Sequence, residues 1–139
     1  MKAEEKLVFL NFFIRSLNLK MREEPKNDRE GRVKVDFGLG VANPKIIEQT
    51  VGRVVLFPLK FELSVSNDAD LVCEFVIGFE VIDTNLANEQ NIKDLFNSDN
   101  DFFMRHISRT VNKIIDNAFL YTSLQLEESI PVNNIYYRS

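Results

Sequence analysis

The sequence predicts an α+β domain in which a four-stranded antiparallel sheet is followed by one long helix and an apolar tail. Four segments alternate apolar and polar residues as strands do, and a later segment repeats apolar residues every three or four positions, as a helix does. The connections between strands are short enough for hairpins, which favours antiparallel pairing. At 139 residues, the chain is expected to be a single domain spanning 1–139.

The four predicted strands differ in how clearly they alternate. The third is the clearest, because apolar residues occupy every second position from Val55 to Val65. Pro58 indicates the beginning or the edge of a sheet here, since proline cannot donate to a ladder. The fourth strand is apolar on both faces and follows a predicted hairpin turn at 67–70. The strands are predicted at 12–21, 32–41, 55–65 and 71–82.

The first strand and the connections follow from the same patterns. Strict alternation places Phe13 and Leu17 on one face of the first strand, with Phe12 and Ile14 on the other. The segment NPKIIEQTVG (43–52) has Pro and Gly near its ends. It is therefore expected to be a connection without a strand.

A long helix is predicted after these strands, with a possible short helix before it at 91–96. Ser98 and Asp101 resemble a capping pair at its start, although Asp replaces the usual Glu or Gln. One apolar stripe marks its buried face, at Phe103, Ile107, Val111, Ile114, Ala118 and Tyr121. A single helix covers only one face of a sheet, and the C-terminal segment 118–134 adds more apolar residues. This excess of apolar surface predicts an oligomer interface or a binding groove.

Composition and charge narrow the classes of function. The net charge is −4 and the pI is about 5.1, so the surface would repel nucleic acid and anionic lipid, and no Lys/Arg cluster is evident to offset this. No apolar run approaches the roughly 20 residues of a membrane helix. LVFLNFFI (7–14) lacks the flanks of a signal peptide, since Glu4 and Glu5 precede it. A lone cysteine fits the reducing cytoplasm.

No arrangement of residues indicates catalysis, a metal or a cofactor. His106 and Ser108 are two residues apart on the predicted helix and therefore do not face each other as a base and a nucleophile must. Cys73 belongs to an apolar strand, where cysteine behaves as a small hydrophobe. One cysteine and one histidine argue against a closed zinc site. We therefore expect a protein that is not an enzyme and holds no metal or cofactor.

Short strings along most of the chain resemble the SecB family of protein-export chaperones. Each of these strings is similar to a family string, in the family's order and spacing: FFIRSLNLK (12–20), VKVDF (33–37), LVCEF (71–75) and PVN (131–133). The resemblance implies a SecB-like fold, assembly into a homotetramer as a dimer of dimers, and a cytoplasmic location. It also implies ATP-independent holding of unfolded polypeptides in an apolar groove, for protein export or for control of an antitoxin.

The resemblance also implies which residues bind clients. The apolar string that the family uses for clients matches Val33, Val35 and Phe37, and weaker candidates are Phe102, Phe103, Ile130 and Tyr136. For each of these residues, the alternative is that its side chain belongs to the ordinary hydrophobic core and does not bind clients.

Docking on the SecA motor is a separate expectation of the family. Members that dock on SecA present an acidic sheet surface. Here Glu74 keeps one of these acids, whereas Ser16 and Lys20 replace two others. The resemblance therefore implies a divergent member whose SecA docking is weakened.

Two other functions fit the residues as well. One is a small-molecule-binding module with an apolar ligand between helix and sheet, which a monomer with a deep closed pocket would favour. The other is a structural or interaction protein of a phage or mobile element, with one fixed partner. Binding to several unrelated unfolded proteins would separate the chaperone from both.

Overall fold

The structure is a computed structural model that describes residues 2–21, 34–50, 52–66, 68–86, 88–120, 122, 126 and 128–138. These residues form five strands and two α-helices, namely β1 (Leu7–Met21), β2 (Val35–Val41), β3 (Lys45–Gln49), β4 (Gly52–Val65), β5 (Ala69–Val81), α1 (Glu89–Ser98) and α2 (Asn100–Ala118). All strand pairs are antiparallel in the order β1-β5-β4-β2, and β3 also pairs with β4. The predicted α+β class is confirmed, and the possible short helix predicted at 91–96 is α1, but the predicted four strands are one too few.

The additional strand, β3, lies in the segment that was predicted to be a connection. Its register with β4 places Gln49 opposite Gly52 in a tight hairpin. Gly52 has a φ of 136°, which side-chain-bearing residues rarely adopt, so glycine permits this turn. The prediction of a plain connection at 43–52 is wrong because its Pro and Gly flank a short strand.

Pro58 lies in the middle of β4, a central strand, and not at the beginning or on an edge. On the side away from β5, β4 pairs with β3 as far as Leu56 and with β2 from Leu59 onward. Pro58 lies between the part of β4 that pairs with β3 and the part that pairs with β2. Its carbonyl accepts a hydrogen bond from the N–H of Ala42 at 2.9 Å. The ladder therefore changes partner at the residue that has no N–H to donate.

Two β-bulges reassign the faces of β1. Leu10 and Arg15 are extra residues without a partner in the register with β5, and each bulge shifts the alternation of the strand by one. As a result, Phe12 and Leu17 lie on the same face of the sheet as the core residues of β5, and Phe13 lies on the opposite face. The prediction that Phe13 and Leu17 share a face is therefore wrong.

The core lies between the two helices and one face of the sheet, here called the inner face; the opposite face is the outer face. Alternate residues of β4 and β5 point inward and are almost fully buried, as their pattern predicts. Phe57 and Phe79 of the sheet lie 5.4 and 5.6 Å from Phe103 of α2, measured between ring centroids, and Phe96 of α1 lies 4.8 Å from it. Aromatic pairs at such distances add to the free energy of area burial.

The predicted apolar stripe of α2 is confirmed, but its predicted start is not. The buried stripe residues are Phe103, Ile107, Val111 and Ile114, Ala118 is half-buried, and Tyr121 lies outside the described residues. Asn88 caps α1 through its side chain. Asp99, which precedes α2, accepts the backbone N–H of Ala3 at 2.6 Å and caps nothing. The hydroxyl of Ser98 donates back into α1, so the predicted Ser98/Asp101 capping pair is wrong.

Candidate functional site

The tail, defined here as residues 128–138, runs along the two helices and is held by asparagine side chains. Asn112 of α2 binds both backbone groups of Ile130: its side-chain oxygen accepts from the N–H at 2.6 Å, and its side-chain nitrogen donates to the C=O at 3.1 Å. Asn97 of α1 binds the N–H and the C=O of Tyr137 in the same way, at 2.7 and 2.8 Å. The tail therefore runs antiparallel to the helices.

The far end of the tail reaches the sheet. Tyr137 packs edge-on against Phe96, with 5.0 Å between ring centroids, and its hydroxyl donates to the C=O of Ala42, directly after β2, at 2.8 Å. Burial, and to a smaller extent the charge of Glu89, raises the pKa of the Tyr137 hydroxyl far above its ordinary value. The hydroxyl thus keeps the proton that it donates. The tail links the helices to the end of β2.

Two of the predicted client-binding residues project from the inner face of β2. Val35 is 36% exposed and Phe37 is half-buried, while Val33 lies outside the described residues. In the tail, Tyr136 is 57% exposed, whereas Ile130 is buried. Val35 and Phe37 therefore offer apolar surface on β2, and Tyr136 offers apolar surface on the tail, whose next residue reaches the end of β2.

The other predicted residues lie elsewhere. Phe103 is 1% exposed and belongs to the aromatic core. Phe102 is half-buried and packs against His106 at 5.0 Å, which in turn stacks on Phe9 of β1 at 4.7 Å, so it is not brought together with the β2 residues. For Phe103 and Ile130, the core position accounts for their burial, and a client-binding role for them stays a prediction.

The most exposed apolar element is β1, which was not predicted as a functional surface. Its exposed apolar side chains, each between 40% and 47% exposed, are Val8, Leu10, Phe13, Ile14 and Leu17. Among the described strands β1 pairs only with β5, so its other edge carries unpaired backbone groups. The signal was present in LVFLNFFI (7–14), which is apolar at nearly every position and hence on both faces.

Glu74, the predicted motor-docking residue, lies on the outer face among basic side chains. It is the cross-strand partner of Lys60 and of Ser16, whose hydroxyl lies 3.5 Å from its carboxylate. Arg15, Lys60 and Glu74 line the same shallow depression of about 360 Å³. A carboxylate flanked by two cations presents little net negative charge to a partner.

Three basic residues align on the exposed side of α2, which corrects the expectation that no Lys/Arg cluster exists. Arg105, Arg109 and Lys113 are four residues apart, so their side chains lie one above the other on the helix. With part of the tail they line an open pocket of about 950 Å³, but Asp101 and Asp116 line it as well. Its charge is therefore mixed rather than strongly positive.

The reactive side chains are held in unreactive settings. Burial, with the negative charge of Glu74, raises the pKa of the Cys73 thiol to about 11, so the thiolate that would attack or bind a metal is scarce at neutral pH. Among the described residues no three His, Cys, Asp or Glu side chains are grouped to hold a metal ion. Neither of the α-helices in the described part of the chain is long and apolar enough to cross a bilayer.

The single histidine is expected to make stability depend on pH. Burial lowers the pKa of His106, and Arg109 and Arg105 lower it further. Since the unfolded chain then binds the proton more readily, the free energy of unfolding should fall as the pH drops below about 6.5 toward the lowered pKa. Urea unfolding at about pH 7.5 and about pH 5.5 measures this. The difference in the free energy of unfolding between the two pH values should be smaller in the variant His106→Phe than in the parent. If the difference is the same in both proteins, His106 is not its source.

No protein-family model and no curated protein matches the sequence. Among solved structures, the chain is similar to the SecB-like chaperone Rv1957 of Mycobacterium tuberculosis in complex with a ChAD peptide from the HigA1 antitoxin. The TM-score is 0.55 over 93% of this chain and 91% of that chain, with 11% sequence identity. The fold is SecB-like. A protein of unknown function from Streptococcus agalactiae, with a TM-score of 0.35 and 10% identity over 88% of this chain and 97% of that one, is too distant to carry an argument.

The SecB-like fold agrees with the resemblance seen in short strings of the sequence. At 11% identity, the likeness concerns the fold alone, since unrelated functions can share one architecture. The solved SecB-like neighbour is a chaperone.

Proposed function

We propose that this protein is an ATP-independent holding chaperone that binds unfolded polypeptide segments at the apolar surface between β2 and the tail. The observation that carries the proposal is the exposure of apolar side chains at both open edges of a sheet whose centre is fully packed. Apolar surface left uncovered in this way marks a binding or assembly surface. The SecB-like fold supports the proposal, because its solved neighbour was found with a peptide of an antitoxin.

Holding would draw its free energy from apolar area removed from water, at about 25 cal/mol per Å², reduced by the cost of ordering the client. Val35, Phe37 and Tyr136 offer side chains for such contacts and make no demand on the sequence of the client. Several weak contacts on one client reinforce one another through effective concentration. Long unfolded chains should therefore bind better than short peptides.

Replacing both Val35 and Phe37 by serine is expected to weaken the binding of unfolded clients by about tenfold or more, since burial of one large apolar side chain contributes about 1.5–3 kcal/mol. Aggregation of reduced insulin, followed by light scattering without nucleotide, measures the effect. Ile47→Ser is the matched control, because Ile47 is a comparably exposed apolar residue of β3 on the outer face.

Two outcomes would contradict this proposal. A folded Val35/Phe37 variant, shown intact by its melting curve, that protects insulin as well as the parent does would remove these residues from the site. A parent protein that holds no unfolded client would end the chaperone proposal and leave the alternative of one fixed partner.

The weakened docking on the SecA motor is part of the same proposal, and it can be reversed. Ser16 and Lys20 lie on the outer face opposite Glu74 and Asp70, so Ser16→Asp with Lys20→Glu would place four acids together. We expect this variant to bind SecA more tightly than the parent, and more so at low salt, because exposed charges act through a screened field. Fluorescence titration with labelled SecA at two salt concentrations measures this. Lys45→Glu, a change of the same sign on β3, is the control, and tight docking by the unmodified protein would contradict the proposal.

Control of an antitoxin fits these surfaces better than orthodox export. That role needs the client-binding surface beside β2, whereas it does not need an acidic docking face. We also propose a homotetramer built as a dimer of dimers, in which the exposed apolar strand β1 contributes contacts between chains. Both statements go beyond the fold that the chain shares with its solved neighbour.

A further inference from the structure

The contacts between the helices and the tail involve backbone groups of the tail. An asparagine side chain carries the same N–H donor and C=O acceptor as a peptide unit. Asn112 and Asn97 each use both groups to bind the N–H and the C=O of a single residue, Ile130 and Tyr137 respectively. These four hydrogen bonds would form equally well with other side chains at the two tail positions.

The spacing of the asparagines matches that of an extended chain. From Asn112 to Asn100 the helix rises by about 18 Å, at 1.5 Å per residue. From Ile130, which Asn112 binds, to Ile135, which Asn100 binds, an extended chain covers about 17 Å. Asn112 and Asn100 therefore match the spacing of an extended polypeptide that runs antiparallel to α2, and Asn97, near the end of α1, adds the contact with Tyr137. The three asparagines 97, 100 and 112 are here called the asparagine track.

One contact of the asparagine track is incomplete. Asn100 is 6% exposed and donates from its side-chain nitrogen to the C=O of Ile135 at 2.8 Å and to the C=O of Phe96 at 3.2 Å. Its side-chain oxygen is buried and has no hydrogen-bond partner among the described residues. A buried acceptor without a donor destabilises the arrangement. A segment that placed an N–H at this oxygen would bind the track more completely than the tail does.

We propose that the asparagine track is a binding site for the backbone of an extended client segment, and that the tail occupies this site until a client displaces it. The inference rests on the proposed holding function and adds to it a site that recognises backbone rather than side chains. The client segment would need apolar residues where the tail has Ile130, Ile135 and Tyr137, since these three pack against the core. Unfolded chains rich in apolar residues meet that requirement without a defined sequence.

Hydrogen exchange of the full chain tests the displacement. The N–H groups of Ile130 and Tyr137 are followed by NMR with and without reduced, carboxymethylated α-lactalbumin, a permanently unfolded client. Both should lose protection by about tenfold or more when the client binds, while the N–H groups of β5 keep theirs. If the client co-elutes with the protein and both tail groups stay protected, this proposal is overturned and the holding function stands. If no client binds, both are overturned.

A variant of the tail provides a second measurement. Tyr137→Ala removes the packing on Phe96 and the bond to Ala42 while leaving the asparagine track unchanged. Because occupancy by the tail reduces the fraction of molecules with a free track, loosening the tail is expected to tighten binding of the same client by about tenfold. Asn133→Ala, at an exposed tail position, is the control and should bind as the parent does. Unchanged or weaker binding by a folded Tyr137→Ala variant would overturn the proposal.

Discussion

Replacing Phe103 with alanine is expected to lower the free energy of unfolding by about 3–5 kcal/mol, which is the usual consequence of removing a fully buried phenylalanine. The ring contacts Phe57 and Phe79 on the sheet and Phe96 in α1. Its loss would open a cavity where the helices join the sheet. Urea unfolding followed by circular dichroism measures the change.

Phe102→Ala is the matched control, because the two phenylalanines are neighbours in α2 and differ in burial. Phe102 is half-buried, so its truncation should destabilise the protein clearly less than truncation of Phe103. If Phe103→Ala kept the stability of the control but lost client binding, Phe103 would be a groove residue, as the family resemblance implied. The interpretation of Phe103 as a structural core residue would then be wrong.

Placing lysine at both Phe13 and Leu17 is expected to dissociate the proposed homotetramer. The two side chains lie on opposite faces of β1 and are 44% and 40% exposed. Lysines on an edge strand disfavour its pairing with another chain and resist burial between chains. At micromolar concentration, light scattering should give the mass of four 16.1 kDa chains for the parent and the mass of one or two chains for the variant.

Leu120→Lys places one lysine at an exposed apolar residue just beyond α2 and should keep the assembly of the parent. A parent that scatters as one chain would remove the proposed tetramer. A variant that stays tetrameric would place the contacts between chains away from β1. The melting temperature of each variant shows whether a change in mass reflects assembly or unfolding.

The sequence predicted best those elements whose two faces differ strongly. Every second residue from Val55 to Val65 is buried and the residues between them are not, so the alternation of β4 is visible in the letters alone. The stripe of α2 is visible for the same reason, since it packs against one sheet. The strand β3 was not predicted, because five residues between Pro and Gly are too few to show the alternation of apolar and polar residues that marks a strand.

Other features depend on contacts that the sequence does not display. A bulge is one unpaired residue, and nothing in the letters around Leu10 or Arg15 marks either of them as such. The roles of Asn97 and Asn112 depend on a segment more than 15 residues away in the chain, and an isolated asparagine on a helix resembles any solvated polar residue. The predicted residues Val35, Phe37 and Tyr136 do carry exposed apolar surface, whereas Phe103 and Ile130 could not be told from core by type alone.

The pairing of β1 with β5 has a consequence for the synthesis of the protein. Leu7 pairs with Val81, so about seventy further residues have to be translated after Leu7 before the partner of β1 is complete. At ribosomal rates of about 5–20 residues per second, the wait is roughly 4–15 s. During that time the apolar strand β1 is outside the ribosome without its partner, which exposes the nascent chain to aggregation. In that interval the nascent protein itself resembles the unfolded polypeptides that it is proposed to hold once folded.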